Sequence, residues 1–516
     1  LADDAVTIAK MAALARGKII YGDSSGAPAA LALGSNGQVL TTDGTDIQWG
    51  SSGVTSIDGL SDATTSESGS IMLGTATHGT INGAAQNTSV GIGAMDAITS
   101  AEYTVAIGYN AGTALTSGNY NTALGGNALI TSTDGHSNTA LGMSALKFTT
   151  SGDQNVGVGR MALAANTTAN NNIGVGHYAA ADNETGASNT AVGTEAMKAN
   201  VAGNNNTAVG YRSQYTGNGQ DYCVSVGWKS LHDITEGQGN IGIGYDGGRA
   251  ITTGDDNIAI GIYSMGGTNA KTGDDNICIG KNTGNDLSSG ANNIILGTSA
   301  GPVMTTGNRN ILLGKDTGNA ITEGASNVAI GNDAGRGITS HSNNVYVGDL
   351  CGNAGGSNNN VGVGQQCLES GNHGNNNVAM GFQAGEALTG EQNVIIGTEA
   401  GRNATSADQN TIVGYMAGGT ATMTGDDNTF IGANAGEDCT SGYQNTAVGR
   451  YALGNVVGGA VNVGLGMNAG RLINSGTHNV ALGYEAMAVV TANGDNVAVG
   501  NYAMGRYDGA RNTVMG

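Results

Sequence analysis

The chain has 516 residues with 91 Gly, 2 Pro, 3 Phe and 2 Trp, so glycine far exceeds its ordinary ~7% share and large side chains are scarce. Its 19 basic and 40 acidic residues leave a net charge of −21, which argues against the basic face that nucleic acid or anionic lipid requires, so no nucleic-acid partner is expected. Charged residues at 11% are too few for a disordered chain, glycine does not recur every third residue as in collagen, and no apolar run of 18 or more residues is present for membrane insertion.

Length alone suggests about three globular domains, but side chains this small cannot fill three close-packed cores, so a thin, repetitive architecture is expected. Residues 1–16 are read as a short helical connector, because ADDAVTIAKMAALA (2–15) is Ala-rich and free of glycine. No charged n-region with an apolar h-region behind it is visible there, so no secretory signal is read. Residues 17–86 are read as small β modules with Trp49 as a core anchor. Residues 87–516 are one long repeat, read as a shaft.

The repeat is N-[VIT]-x-[VIL]-G, as in NTALG ending at Gly125, NVGVG at Gly159, NIAIG at Gly261 and NVIIG at Gly397. Counted from Gly93 to Gly516 there are 26 copies in 423 residues, a mean period of 16.9. Apolar residues three and one before each glycine, β-branched at the first, have the two-residue spacing of one face of a short strand and are expected to point inward. The position between them is mostly Ala or Gly but is also Ile295, Leu312, Tyr346, Ile395, Ile412 or Phe430, so both strand faces are expected to be buried. The closing glycine suits a sharp corner, where positive φ or close stacking leaves no room for a Cβ. Three residues later stands a small residue such as Ala111, Ala128 or Ala145, and the next alternates between Gly and Leu or Met.

Asn stands four residues before the glycine in 23 of 26 copies, with Ser89, Thr104 and Cys223 as exceptions. Asn121, Asn138, Asn155, Asn172, Asn189, Asn206, Asn240, Asn257, Asn276 and Asn293 are therefore expected to stack at ~4.8 Å as a structural amide ladder. A 17-residue unit with one apolar strand and two glycine turns lacks helical spacing. The fold class expected is all-β, a parallel β-solenoid or β-roll with one coil per repeat. One coil buries too little apolar surface to offset ordering 17 residues at ~1–2 kcal/mol each, so homotrimerisation through the Ala/Gly-faced strands is expected.

The N-[TV]-A-[VIL]-G-x-x-A-G units resemble the Asn-Gly repeats of phage tail-fibre proteins and, more loosely, the head repeats of trimeric autotransporter adhesins, over about residues 87–516. GKIIYGDSSGAPAALALGSNGQVLTTDGTDIQWG (17–50) and GLSDATTSESGSIMLG (59–74) resemble the small β units ahead of fibre shafts. The resemblance implies a left-handed β-roll, an elongated homotrimer on the virion, attachment to an upstream tail or baseplate protein, and a host-surface glycan or protein as receptor. Family members often end in a chaperone domain that trims itself off; this sequence stops at NTVMG (512–516).

Other chemistry finds weaker footing. GIGYDG (242–247) matches a dinucleotide-binding pattern literally but is one coil among many, with no βαβ unit around it. Five Cys at 223, 278, 351, 367 and 439 form no C-x-x-C, so neither a disulfide framework nor a zinc site is read. Seven scattered His lack metal or triad context. The Asp pairs of the TGDDN turns (Asp255–Asp256, Asp274–Asp275, Asp426–Asp427) are read as solvated turns in preference to a Ca²⁺ site. Tyr109, Tyr211, Trp228, Tyr245, Phe382, Tyr415 and Tyr484 follow the motif glycine and would form a sparse aromatic row, either locking coils or contacting glycans. No cofactor or catalytic residue is expected, and no carboxylate pair stands out as in a polysaccharide-cleaving tailspike. An ice-binding solenoid would need a row of outward Thr, whereas Thr122, Thr139, Thr190 and Thr411 sit at the position read as inward. The expected function is a non-enzymatic virion fibre that spaces and presents a host-attachment end; the alternative is a bacterial cell-surface adhesin or extracellular filament.

Overall fold

The computed structural model describes residues 18–36, 38–51, 63–65, 69–74, 82–370, 372–505 and 509–516. The helical connector expected at 1–16 lies outside them. The chain divides into two compact units, Leu1–Thr168 and Ala169–Gly516, and the described residues are all-β.

The first unit opens with two antiparallel hairpins, Ile19–Gly22 with Pro28–Leu31 and Gln38–Thr42 with Ile47–Ser51. Trp49 is half-buried: its Nε1–H donates to the Ala32 carbonyl at 2.5 Å, and its ring covers Gly34, where a Cβ would come within 2.6 Å of it. A third antiparallel pair, Ala63–Thr65 with Ile71–Leu73, starts the solenoid. Ile71–Leu73 then pairs in parallel with Thr88–Val90, followed by Val105–Ile107, Thr122–Leu124, Thr139–Leu141 and Val156–Val158.

Parallel stacking therefore begins one coil earlier than residue 87. It also corrects the phase of the first repeat, which is NTSVG closing at Gly91 (φ 130) rather than a copy closing at Gly93. With that phase Asn87 takes the ladder position and Ser89 becomes a strand centre.

The second unit is a ladder of 21 three-residue strands from Ile173–Val175 to Thr513–Met515. Each pairs in parallel with the next in register, as in Ile294↔Ile311 and Leu296↔Leu313. Backbone pairing continues around the coil: Arg309 N–H donates to Ala291 O at 3.0 Å, Asp316 N–H to Thr298 O at 3.0 Å and Gly318 N–H to Ala334 O at 3.0 Å. The closing glycines sit near φ 130–140, and a Cβ on Gly314 would run into the carbonyl oxygen of Gly331 in the next coil. Both demands at that corner, conformation and space, exclude any side chain.

The strand faces are the reverse of those expected. In the parallel strands from Thr88–Val90 to Val497–Val499 the central residue is buried, as at Ala106, Ala123, Ile295, Tyr346 and Phe430, while the flanking Val, Ile, Leu and Thr are half-buried to exposed. The alternation follows from the two-residue period of a strand. The small central residue faces inward because the coil is narrow and the opposite wall is close. Where the centre is large, the position six residues on is glycine, as in Ile295/Gly301, Leu312/Gly318 and Phe430/Gly436; where it is small, that position is large in some coils, as in Ala123/Leu129, Ala191/Met197 and Ala447/Leu453, and glycine in others, as in Ala329/Gly335 and Ala379/Gly385, where Ile338 and Leu388 fill the space. The core is thus inside each coil. Packing the Ala/Gly faces of three chains together, as expected from sequence, is excluded because that face is already buried within one chain.

Candidate interaction surfaces

The Asn column is internal. In the first unit Asn121 Oδ1 accepts the Asn138 N–H at 2.9 Å, and Asn138 Oδ1 accepts both the N–H and the Nδ2–H of Asn155, at 3.0 and 3.2 Å. In the second, Asn172 Oδ1 accepts from the Asn189 N–H at 2.9 Å, Asn189 from the Asn206 N–H at 3.0 Å, and Asn206 from the Cys223 N–H at 2.9 Å. The chain of amides resumes at Asn240 and runs through Asn257, Asn276 and Asn293 to Asn310. Most Nδ2 groups also reach a turn carbonyl, for example Asn293 to Gly307 O at 2.9 Å. With every amide atom occupied and the side chains fully buried, the column supports the fold and offers nothing to a ligand.

The aromatic residues after the motif glycine divide into two groups. Tyr211, Trp228 and Tyr245 stack on successive coils, with ring centroids 6.2 and 4.5 Å apart and interplanar angles of 23° and 6°. Lys229 Nζ stands 4.4 Å from the Trp228 centroid and the Arg212 guanidinium 5.2 Å from that of Tyr211. A second stack, Tyr215 on His232, runs beside them at 5.1 Å. Rings piled along the coil direction cover each other's faces, which are the surfaces a sugar would stack on. This arrangement locks coils together. Tyr484 meets Tyr502 edge-on at 5.2 Å, whereas Tyr109 (60% exposed), Phe382 and Tyr415 (53% exposed) have no ring partner among the described residues.

The TGDDN turns have a structural use for their first carboxylate. Oδ1 of Asp255, Asp274 and Asp426 accepts the backbone N–H of Gln238, Asp255 and Asp408 in the preceding coil, at 2.7, 2.8 and 2.9 Å. The second Asp of each pair takes a left-handed turn conformation, φ 53, 58 and 59 at Asp256, Asp275 and Asp427. No group of three or more potential metal ligands occurs among the described residues. A shallow groove of about 280 Å³ is lined by Gly374, Thr389, Gly390, Glu391, Ser406 and Asp408. Asp408 Oδ1 accepts the Glu391 N–H there at 2.8 Å.

Two buried groups escaped the sequence reading. Tyr346 Oη and His373 Nε2 lie 2.6 Å apart, both fully buried. Lys271, also fully buried, donates from Nζ to the carbonyls of Asn285 at 2.8 Å and Asn269 at 3.3 Å. It sits in the longest coil, 19 residues from Gly261 to Gly280, paired with Ile251. Burial lowers its pKa from 10.5 to about 8, with Asp286 opposing. The five thiols are free and buried, and desolvation raises those of Cys223, Cys278 and Cys439 to about 11, 12 and 12. Such thiols are inert.

What remains outward is the ribbon of residues flanking the strand centres. In the second unit the two rows run through Ile294/Leu296, Ile311/Leu313 and Val394/Ile396, and no outward strand position from Ile173 to Met515 carries a charge. Ile294, Ile311, Ile330, Ile396 and Ile431 are each between 36% and 40% exposed. With 21 strands spaced ~4.8 Å apart, a ribbon two side chains wide presents on the order of 700 Å². That exceeds the largest apolar patch of a typical monomer, about 300–600 Å². The Thr residues of the motif, such as Thr190, Thr207 and Thr411, lie in the outer row, half-buried.

No helix among the described residues is long and apolar enough to cross a membrane. No protein-family model matches the chain, and neither the curated proteins nor the solved structures include one with significant similarity to it.

Proposed function

We propose that the chain is a non-enzymatic structural fibre, a shaft of a phage tail fibre on the virion, which assembles as a homotrimer and spaces a host-attachment end. The uncharged outward ribbon carries this reading. A continuous strip of Val, Ile, Leu and Thr that a single chain leaves half-exposed calls for cover, and copies of the same strip are the complementary surface every protomer supplies. On the order of 700 Å² per chain matches the ~800 Å² per partner of a stable interface. Three narrow ribbons meeting on one axis bury it with no edge left over, and the acidic turns stay outward in solvent.

The tail-fibre assignment, the upstream tail or baseplate partner and the glycan or protein receptor rest on the resemblance of the repeat and of residues 17–74. A bacterial adhesin shaft with the same coil is the alternative. The outward Thr residues remove the objection to an ice-binding surface based on their placement, but a row that mixes Thr with Val and Ile is too uneven for a regular hydroxyl array. Absence of thermal hysteresis would agree with that.

The test is the solution mass by light scattering over a range of concentrations. Three times the 51.0 kDa chain mass with an elongated shape is expected; a monomer at all concentrations overturns the shared ribbon.

A further inference from the structure

The inner core position seven residues after the closing glycine is apolar along most of the second unit, as at Ile234, Ile251, Leu287, Met304, Ile321 and Ile338. In the coil from Gly210 to Gly227 that position is Gly217, and the side chain of Gln220 turns in to take the space: a Cβ on Gly217 would collide with Gln220 Nε2. The core position four residues after the closing glycine, elsewhere Leu, Met, Ala or Gly, is Gln214. One coil therefore holds two glutamine amides in its interior, both fully buried.

Their hydrogen bonding is incomplete. Gln220 Oε1 accepts the Gly219 N–H at 3.0 Å, but Gln220 Nε2, Gln214 Nε2 and Gln214 Oε1 have no partner among the described residues. Neighbouring polar groups are committed elsewhere: Ser213 Oγ donates to Ser225 O at 2.9 Å, Ser230 Oγ to Gly242 O at 2.6 Å, and Asn200 Nδ2 to Asn183 Oδ1 at 2.9 Å. A direct bond between the two amides satisfies two of the three orphaned atoms and strands the third.

We propose that this coil encloses an ordered water bridging Gln214 and Gln220. Two amide donors and one carbonyl acceptor match the ~3 hydrogen bonds a buried water usually makes. Leaving such groups unpaired in an apolar interior is strongly unfavourable. The water is then a structural ligand of this coil.

A crystal structure of the whole chain at a resolution that shows water tests this directly. Density within ~3 Å of Gln214 and of Gln220 Nε2 is expected; the two amides bonded to each other with no water between them overturns the proposal. Hydrogen exchange of residues 207–237 in Gln214→Leu, Gln220→Met and the double variant gives an independent reading. Because either single change strands the other amide, the double variant is expected to open locally about tenfold less often than the product of the single effects predicts. Effects that multiply within twofold also overturn the shared water.

Discussion

Gly436 lies against the ring of Phe430, so close that a Cβ on it would stand 2.5 Å from two of the ring carbons. The next coil solves the same space the other way, with Ala447 in the strand and Leu453 six residues on. Between these two coils the large side chain switches from the strand centre to the position six residues on. Phe430→Ala is expected to destabilise by about 3–5 kcal/mol through the cavity it leaves. Gly436→Leu alone should destabilise by roughly 1–3 kcal/mol through overpacking. The double variant recreates the neighbouring solution, so it should recover at least half of the Phe430→Ala loss in denaturant unfolding. Simple addition of the two losses would sink the volume-exchange account.

Much of this architecture was legible in the sequence, and the illegible part has a physical cause. The period and the parallel register follow from the recurring N-[VIT]-x-[VIL]-G. The facing of the strand does not, because the general rule that the more apolar residues point inward fails in this coil. In a coil this narrow, Ala106 or Gly157 fits the interior, while Val105 and Ile107 are displaced to the outer face. Left-handed turn residues were equally hidden: Leu129 (φ 50), Met197 (φ 53) and Leu453 (φ 46) adopt a backbone that composition assigns to glycine. Each donates its N–H to the next coil, to Ala145 O, Ser213 O and Ala469 O, and accepts at its carbonyl from the residue three positions on in its own coil, which holds the turn there. The Tyr211–Trp228–Tyr245 row was visible as spacing, but ring orientation, which decides whether a sugar can stack on it, was not.

Cys223 interrupts the Asn column. Its N–H donates to Asn206 Oδ1 at 2.9 Å, but toward Asn240 a sulfur stands where the other coils offer an amide oxygen. Cys223→Asn is expected to raise stability by on the order of 1 kcal/mol, because a weak sulfur acceptor is replaced by a carbonyl. Asn310→Ala is the converse. It removes the acceptor for the Asn327 N–H (3.0 Å) and the donor to Gly324 O (2.9 Å), both buried. A loss of about 2–4 kcal/mol is expected from two orphaned groups. Thermal unfolding of the two variants beside the unmodified chain decides both signs.

Lys271 makes the stability of its coils depend on pH in a direction opposite to most folded proteins. Burial lowers its pKa from 10.5 to about 8, so between those values the unfolded chain binds more protons than the folded one. Stability from this group therefore rises with pH across that window, and the penalty of the buried charge is fully present below pH 8. The difference corresponds to roughly 3 kcal/mol. Lys271→Met should remove the rise and stabilise the chain at pH 7. Denaturant midpoints of both proteins from pH 7 to 10 are the measurement, and parallel curves would show that the ammonium is not desolvated as the structure has it.

The outward ribbon separates assembly from folding. Ile311 is 36% exposed in the single chain and makes no part of the coil interior, whereas Leu312 beside it is fully buried. A lysine at 311 has room to extend into solvent in a monomer, so the coil should keep its far-ultraviolet spectrum and lose little stability. In a trimer the same change places three ammonium groups around one axis in an apolar environment. Burying unpaired charge there costs several kcal/mol per ion, and the copies repel one another. Ile294→Lys with Ile311→Lys is therefore expected to shift the light-scattering mass from three chains to one, while Leu312→Lys should unfold its coil. A double ribbon variant that keeps the oligomeric mass of the parent would show that the copies meet elsewhere, and would turn attention to the aromatic edge formed by Tyr211, Trp228 and Tyr245 as the contact surface.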